Sequence, residues 1–251
     1  MLNELIKERL KKLEDIKGSG VNPYPARTKK VIAISTVLEK FPSLEKTKKN
    51  VFVAGRIWSI RDQGGLIFWD LKDERGQIQI LLKKATLKDF HLLKKVIDRG
   101  DFVSVSGFLF KTKRGEKSLE AKSVQILTKS IRPLPTEWFG VEDVETRLRK
   151  RYLDLLLAPE AREIFRKKSV FWTTFRNELN NAGFLEVETP VLEAIPGGAE
   201  AEPFKTHHNA LDTDFYLRIS LELPLKKLLV GGLEKVFEIG RIFRNEGIDR
   251  E

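Results

Sequence analysis

Apolar residues change their spacing along this chain, and each change marks a different kind of element. Leu2, Leu5, Ile6, Leu10 and Leu13 recur every three or four positions and stop before Gly18-Ser19-Gly20, the spacing of an amphipathic helix. Its stripe suits either its own domain or a partner. Asn22-Pro23-Tyr24-Pro25 is an extended connector, because proline lacks an N–H and restricts the residue before it. From about Lys49 the period falls to two. Val51–Trp58, Leu66–Leu71 and Gln77–Leu82 are strands, the last two joined by Asp73-Glu74-Arg75-Gly76. A helical stretch, Leu87–Ile97, follows. Asp101–Phe110 and Ser118–Leu127 are two more strands, separated by Lys113-Arg114-Gly115-Glu116.

Three strands, a helix and two strands within about 80 residues is the order of the OB-fold, a Greek-key barrel often used on single-stranded nucleic acid. Ile131-Arg132-Pro133-Leu134-Pro135 then makes a stiff connector. Beyond it, Glu142–Leu157 is charged and helical. Pro159 opens a long amphipathic helix, Ala161–Ala182, stopped by Gly183. Phe184–Leu192 reads as a strand containing Glu188-Thr189-Pro190, and Val236–Phe243 as a strand leading into Arg244-Asn245-Glu246. The domains are residues 1–49, helix and connector; 50–130, barrel; 131–145, linker; and 146–251, a second domain.

Charge separates the two halves. Residues 1–130 carry 28 Lys and Arg against 15 Asp and Glu, and residues 131–251 carry 18 against 21. The excess of +13 makes the first half the candidate polyanion binder, beside −3 for the second. No apolar run approaches the roughly 20 residues of a membrane helix. With no cysteine there is no disulfide, and His91, His207 and His208 are too scattered for a transition-metal cluster. A reducing cytoplasm is the simplest setting.

Two groups of residues carry candidate chemistry. On the barrel, Arg61, Phe68 and Gln79 can converge on one face, where an aromatic ring stacks on an unpaired base and amide or guanidinium groups read its edge. Each also has an ordinary use, Phe68 in the core and Gln79 toward solvent. At the other end, Arg244 and Glu246 share one side of an extended segment. An arginine fork suits phosphate or carboxylate, and a glutamate beside it suits an amine or a ribose hydroxyl.

The Phe243-Arg244-Asn245-Glu246 segment resembles motif 2 of the class II aminoacyl-tRNA synthetases. The long helix, turn and strand closing in Glu188-Thr189-Pro190 resembles their motif 1, about fifty residues earlier. Ile195-Pro196-Gly197-Gly198-Ala199, Thr206-His207-His208-Asn209, Tyr216-Leu217-Arg218-Ile219, Val230–Ile239, Arg132–Pro135 and Arg151–Leu155 extend the likeness to the class II lysyl-tRNA synthetases, from the Asn22–Pro25 connector to the last residue. Aspartyl and asparaginyl enzymes share this architecture.

The resemblance implies an α+β protein: an OB-fold anticodon-binding barrel followed by an incomplete class II antiparallel-sheet catalytic domain. It implies that Arg244 holds the α-phosphate of ATP and the lysine carboxylate, that Glu246 contacts the adenosine end, and that Glu222 and the Gly198 carbonyl receive the α-ammonium of lysine. Glu222 also reads as a helix-initiating carboxylate. Arg61, Phe68 and Gln79, with Glu116 on the neighbouring hairpin, would hold the uridine-rich anticodon of tRNA-Lys. Residues 161–191 would form a homodimer interface. Two departures stand out: Ser220-Leu221-Glu222 where the family has alanine-proline-glutamate, and Glu202 where it has a basic residue.

The motif 2 loop, the ε-ammonium site, the Mg²⁺ ligands and the motif 3 arginine would all lie beyond Glu251. The expectation is therefore an N-terminal part of a lysine–tRNA ligase, inactive alone. The alternatives are a short RNA-binding paralogue and an aspartyl- or asparaginyl-type relative.

Overall fold

A computed structural model describes residues 2–135 and 143–247. It divides into two compact units on either side of residue 140. Residues 136–142 of the expected 131–145 linker lie outside the described residues.

The first unit opens with α1 (Leu2–Gly18), which runs longer than the leucine spacing alone predicts. Leu13 and Ile16 are buried, and the Arg9 guanidinium donates to the carbonyls of Ser130 and Arg99 at 3.0 and 3.1 Å. The helix therefore docks on its own domain, while Leu2, Leu5 and Leu10 remain exposed. Two short helices not expected from the sequence follow, α2 (Ile34–Glu39) and α3 (Phe41–Thr47). Ile34, Val37 and Phe41 are fully buried and extend the barrel core.

The barrel itself comprises β1 (Val51–Gln63), β2 (Leu66–Lys72), β3 (Gln77–Lys83), α4 (Phe90–Val96), β4 (Phe102–Lys111) and β5 (Lys117–Thr128), closed in the order β1-β2-β3-β5-β4. This is the expected OB-fold order. Neighbours are antiparallel except β3 and β5. Inward residues alternate with outward ones, and Trp69, Ile57, Leu71, Ile80 and Val103 fill the interior. Gly107 has no room for a side chain, since a Cβ there would lie 1.9 Å from the Glu120 carbonyl oxygen.

β1 runs five residues past the expected end at Trp58, and the register slips between Ile57 and Ser59. Ile57 pairs with the buried Leu71, but Ser59 pairs with Asp70 and Arg61 with Phe68. The bulge inserts one extra residue and so turns Ser59 and Arg61 to the outer face. Simple alternation from Ile57 would have sent both inward.

In the second unit the expected helix over 142–157 is two helices, α5 (Val144–Arg149) and α6 (Arg151–Leu157), interrupted at Lys150. Arg147 and Arg151 both reach the buried Asp154 at 2.8 Å and tie the pair together. α7 (Pro159–Asn181) has its proline in the first turn. The chain reverses after it through Gly183, whose φ of +82° favours glycine.

Strands β6 (Leu185–Glu186), β7 (Leu192–Glu193), β8 (Lys205–His208) and β9 (Thr213–Leu217) lead to α8 (Glu222–Val230) and β10 (Val236–Phe237). β7, β9 and β8 form an antiparallel sheet, and β6 pairs in parallel with β10. The expected single strand over 184–192 is thus split. Val187 bonds to the Phe237 carbonyl, Thr189 to the Glu238 carboxylate, and Val191 accepts from Arg218. These groups find different partners, so no single ladder forms across Pro190.

Candidate functional sites

On the barrel, the four residues expected to meet RNA line one cleft of about 570 Å³: Arg61, Phe68, Gln79 and Glu116. Phe68 comes from β2 and Arg61 from the cross-strand position on β1. Gln79 sits on β3 opposite Asp70, and Glu116 on the β4–β5 hairpin. Phe68 is half-buried, so it belongs to neither the sealed core nor open solvent.

Two partners missing from the sequence reading set the geometry. Asp70 receives both terminal nitrogens of Arg61, at 3.0 and 3.1 Å, and also accepts from the Ser59 hydroxyl. A two-point bond of this kind fixes the guanidinium plane beside Phe68. Ser118 donates to Gln79 Oε1 at 3.0 Å, occupying the acceptor end of the amide. The donor end is the one that suits a uracil carbonyl. On the hairpin, Thr112 Oγ1 accepts from the Glu116 amide at 3.0 Å, and Lys113 and Arg114 add positive charge to the cleft wall. Asp70 was legible as the outward neighbour of Phe68 at a period of two; the Ser118 bond crosses from β3 to β5 and was not.

In the second unit, three segments come together. Phe243 N–H donates to the Arg218 carbonyl at 2.9 Å, and Asn245 N–H donates to the Glu202 carbonyl at 2.7 Å. These bonds place the segment bearing Arg244 and Glu246 beside the one leading to Glu222 and the one leaving Gly198. Arg244 and Glu246 are both exposed. The run over 236–243 is a regular strand only at Val236–Phe237, a correction to the expected continuous strand. The Phe243 amide at its end and the Asn245 amide just beyond it bond to two separate segments instead of one neighbouring strand.

Gly198 and Glu222 meet closely. Gly198 has φ +87°, and a Cβ there would lie 3.0 Å from Ser220 Oγ and 3.4 Å from Glu222 Cβ. The glycine is needed on both counts, conformation and space. Glu222 is the first residue of α8, its amide bonds Ser220 Oγ at 3.1 Å, and its carboxylate pairs with Lys226 at 2.5 Å. Glu222 therefore opens the helix, as the helix-initiating reading expects, and also borders the glycine loop. An incoming ammonium would share this carboxylate with Lys226. Ser220 and Leu221, which depart from the family pattern, act through the first's hydroxyl and the second's place at the helix cap. Glu202 is exposed and enters the site through its backbone carbonyl.

Below these residues lies a buried polar knot. Arg218 Nη1 donates to Glu238 Oε1 at 2.6 Å and to the Thr189 carbonyl at 3.1 Å, and Nε donates to the Arg241 carbonyl at 3.0 Å. Thr189 donates back to Glu238 through its amide and its hydroxyl, at 3.1 and 2.7 Å. Among the described residues, no group of three or more His, Cys, Asp or Glu is arranged to hold a metal ion.

Comparison with known proteins follows the same division. Residues 51–127 match the OB-fold nucleic acid binding domain, and residues 143–251 match the class II tRNA synthetases (D, K and N). The lysine–tRNA ligase of Roseiflexus sp. strain RS-1 is 47% identical over 99% of this chain and 52% of its own length. That of Pelotomaculum thermopropionicum is 47% identical over 98% of the chain and 49% of its own length. For Halalkalibacterium halodurans the values are 46%, 98% and 50%. The chain thus spans about half the length of the curated relatives it matches.

Proposed function

Since the chain belongs to the class II tRNA synthetases, we propose that it supplies the anticodon-binding barrel and the first half of the aminoacylation site of a lysine–tRNA ligase. One observation carries the reading: likeness to lysine–tRNA ligases runs through 99% of the chain, across both units. The domain limits are those read from the sequence, with the barrel over 50–130 and the synthetase part over 146–251.

The reaction has two steps. A lysine carboxylate oxygen attacks the α-phosphorus of ATP, pyrophosphate leaves, and lysyl-adenylate forms. A hydroxyl of the terminal ribose of tRNA-Lys then attacks the adenylate carbonyl and AMP leaves. Arg244 holds the α-phosphate and the carboxylate together and offsets charge that builds as the bond forms. Glu246 contacts the adenosine end. Glu222 and the Gly198 carbonyl receive the α-ammonium, an arrangement supported by the close approach of the Gly198 loop to Ser220 and Glu222. Arg61, Phe68, Gln79 and Glu116 bind the uridine-rich anticodon; Gln79 donates to uracil carbonyls and Glu116 accepts from its N3–H.

Mg²⁺ would accompany ATP and neutralise its phosphates; among the described residues no group of three or more His, Cys, Asp or Glu is arranged to hold it. The setting is cytoplasmic; no described helix is long and apolar enough to cross a membrane. Homodimerisation through 161–191 is supported by the apolar stripe of α7, where Ile164, Phe165, Phe171 and Phe175 are 66, 54, 59 and 44% exposed. Ile164, Phe171 and Phe175, seven and then four residues apart, share one side of the helix, and Phe165 widens it.

The test is amino-acid-dependent exchange of pyrophosphate into ATP. The 251 residues by themselves should give none, and joined to the C-terminal half of the Roseiflexus relative they should exchange with lysine. Arg244→Ala should lower that rate by about 10²–10³, the usual cost of one preorganised contact to developing charge. Exchange driven by aspartate or asparagine and not lysine, or unaffected by Arg244→Ala, would overturn the reading.

A further inference from the structure

The bulge that turns Arg61 to the outer face also joins two surfaces. Before it, β1 presents Phe52, Arg56 and Trp58 outward, all half-buried. Each aromatic group on this stretch carries a cation. Lys29 Nζ lies 5.5 Å from the Phe52 ring centre, Arg56 Cζ 4.4 Å from Phe102, and Lys72 Nζ 4.6 Å from Trp58. Arg56 is the register partner of both Phe102 on β4 and Lys72 on β2. Lys72 in turn shares the outer face of β2 with Asp70 and Phe68, two and four residues back. The row therefore begins where the cleft ends. At about 3.3 Å per residue, Phe52 to Trp58 spans roughly 20 Å.

We propose that Arg56 and Lys72, with Lys29 at the far end, form a backbone track for RNA whose unpaired bases occupy the cleft. Their ligand is the phosphodiester chain leaving the anticodon. The inference rests on the cleft reading above. The aromatic faces are covered by cations, so this stretch offers charge and not base stacking. A cation laid on a ring is held in place and loses less freedom when it meets a phosphate. The carboxylates nearest the cleft end are already engaged: Asp70 by Arg61 and Ser59, and Asp73 by the amides of Ile34, Arg75 and Gly76. Arg61 thereby offsets the charge of Asp70, and the carboxylate of Asp73 is turned to backbone amides. Contacts to phosphate fix register and carry no sequence information, which complements a cleft that reads bases.

The test uses the full 251-residue chain and two RNAs, a uridine trinucleotide and a hairpin with the same trinucleotide in its loop. Affinity is followed against salt. The Arg56→Gln/Lys72→Gln variant should bind the trinucleotide as the parent does. For the hairpin, the slope of log affinity against log salt should fall by about 1.4–1.8, since each phosphate contact contributes about 0.7–0.9. Lys72→Arg, which keeps the charge, should keep the slope with Arg56 intact, and separates charge from any loss of fold. An unchanged hairpin slope in the double variant would overturn the track and leave the cleft standing. Failure of Phe68→Ala to weaken the trinucleotide would overturn the cleft instead.

Discussion

Arg218 and Glu238 face each other at 2.6 Å, and each side chain is only 4% exposed. They are twenty residues apart in sequence. Arg218 also holds the Arg241 carbonyl with its side chain and the Phe243 amide with its backbone. One residue therefore fixes the course of the chain just before Arg244. Through Thr189 the same knot fastens the end of the helix–strand unit that opens with α7.

Breaking one side of such a pair leaves a charge buried without compensation, a loss of about 3–5 kcal/mol. Arg218→Met should destabilise the second unit on that scale, and Arg218→Met/Glu238→Met should cost less than the two single changes together. Urea unfolding of the four proteins measures the coupling. Hydrogen exchange at the Phe243 and Asn245 amides should quicken in Arg218→Met. Strict additivity would remove the pairing argument.

The cleft makes a separate prediction. Phe68→Ala should weaken uridine-rich RNA binding by about 1–3 kcal/mol at fixed salt. Gln79→Glu should weaken it too, because a carboxylate meets the uracil carbonyls where the amide donates. Fluorescence anisotropy with labelled oligouridylate reads both, and oligoadenylate serves as the comparison. An unaltered affinity in Phe68→Ala would take that ring out of the binding face.

The α7 stripe predicts self-association. Sedimentation velocity at tens of micromolar should show a dimer for the parent and a monomer for Ile164→Asp/Phe171→Asp. Both residues are already exposed within the chain, so the fold should survive the change. A parent that stays monomeric would leave the stripe without its proposed role.

Docking of α1 should depend on acid, because Lys12 on that helix bonds Asp98 Oδ1 at 2.7 Å. Burial raises the pKa of the Asp98 carboxyl, but hydrogen bonds and charge from Lys12 and Lys129 outweigh it, and the net shift is downward. A depressed carboxylate contributes stability above its unfolded pKa and loses it as pH falls through the folded one. The contribution should therefore be complete above about pH 5 and fade below the ordinary Asp value of about 3.9. Lys12, raised overall although burial opposes the shift, keeps its partnership until strongly alkaline pH. Limited proteolysis near Gly18–Gly20 should accelerate in acid, and Asp98→Asn should bring that rate to neutral pH. Equal cleavage at pH 3 and pH 7 would count against the Asp98 anchor.

What the sequence disclosed followed local periodicity. The barrel order came from alternation at a period of two, and Phe68 and Gln79 from their places on short strands. Arg61 is a candidate from the sequence, but the bulge that aims it is invisible there, because one extra residue leaves the apolar pattern of β1 almost unchanged. The polar knot is not legible because Thr189, Arg218 and Glu238 lie on three segments far apart in sequence, each outside the regular elements. A signal existed: Arg218 and Glu238 are isolated charges inside apolar runs, Phe215–Ile219 and Val236–Ile239. The broken strands over 184–192 and 236–243 were read as continuous because the sequence shows which residues favour extension, not which neighbours will accept their hydrogen bonds.

The slip between Ile57 and Ser59 makes strand length a determinant of what the barrel can recognise. Removing a single codon just past the slip, that of Ile60, would carry Arg61 to the inward position opposite Trp69 and strip Asp70 of its guanidinium partner. Substitutions at the cleft alter one contact at a time. A deletion at Ile60 would instead exchange the two sides of everything that follows it on β1, whereas loss of Trp58, the extra residue itself, would leave Arg61 opposite Phe68, so what matters in this strand is where its length changes.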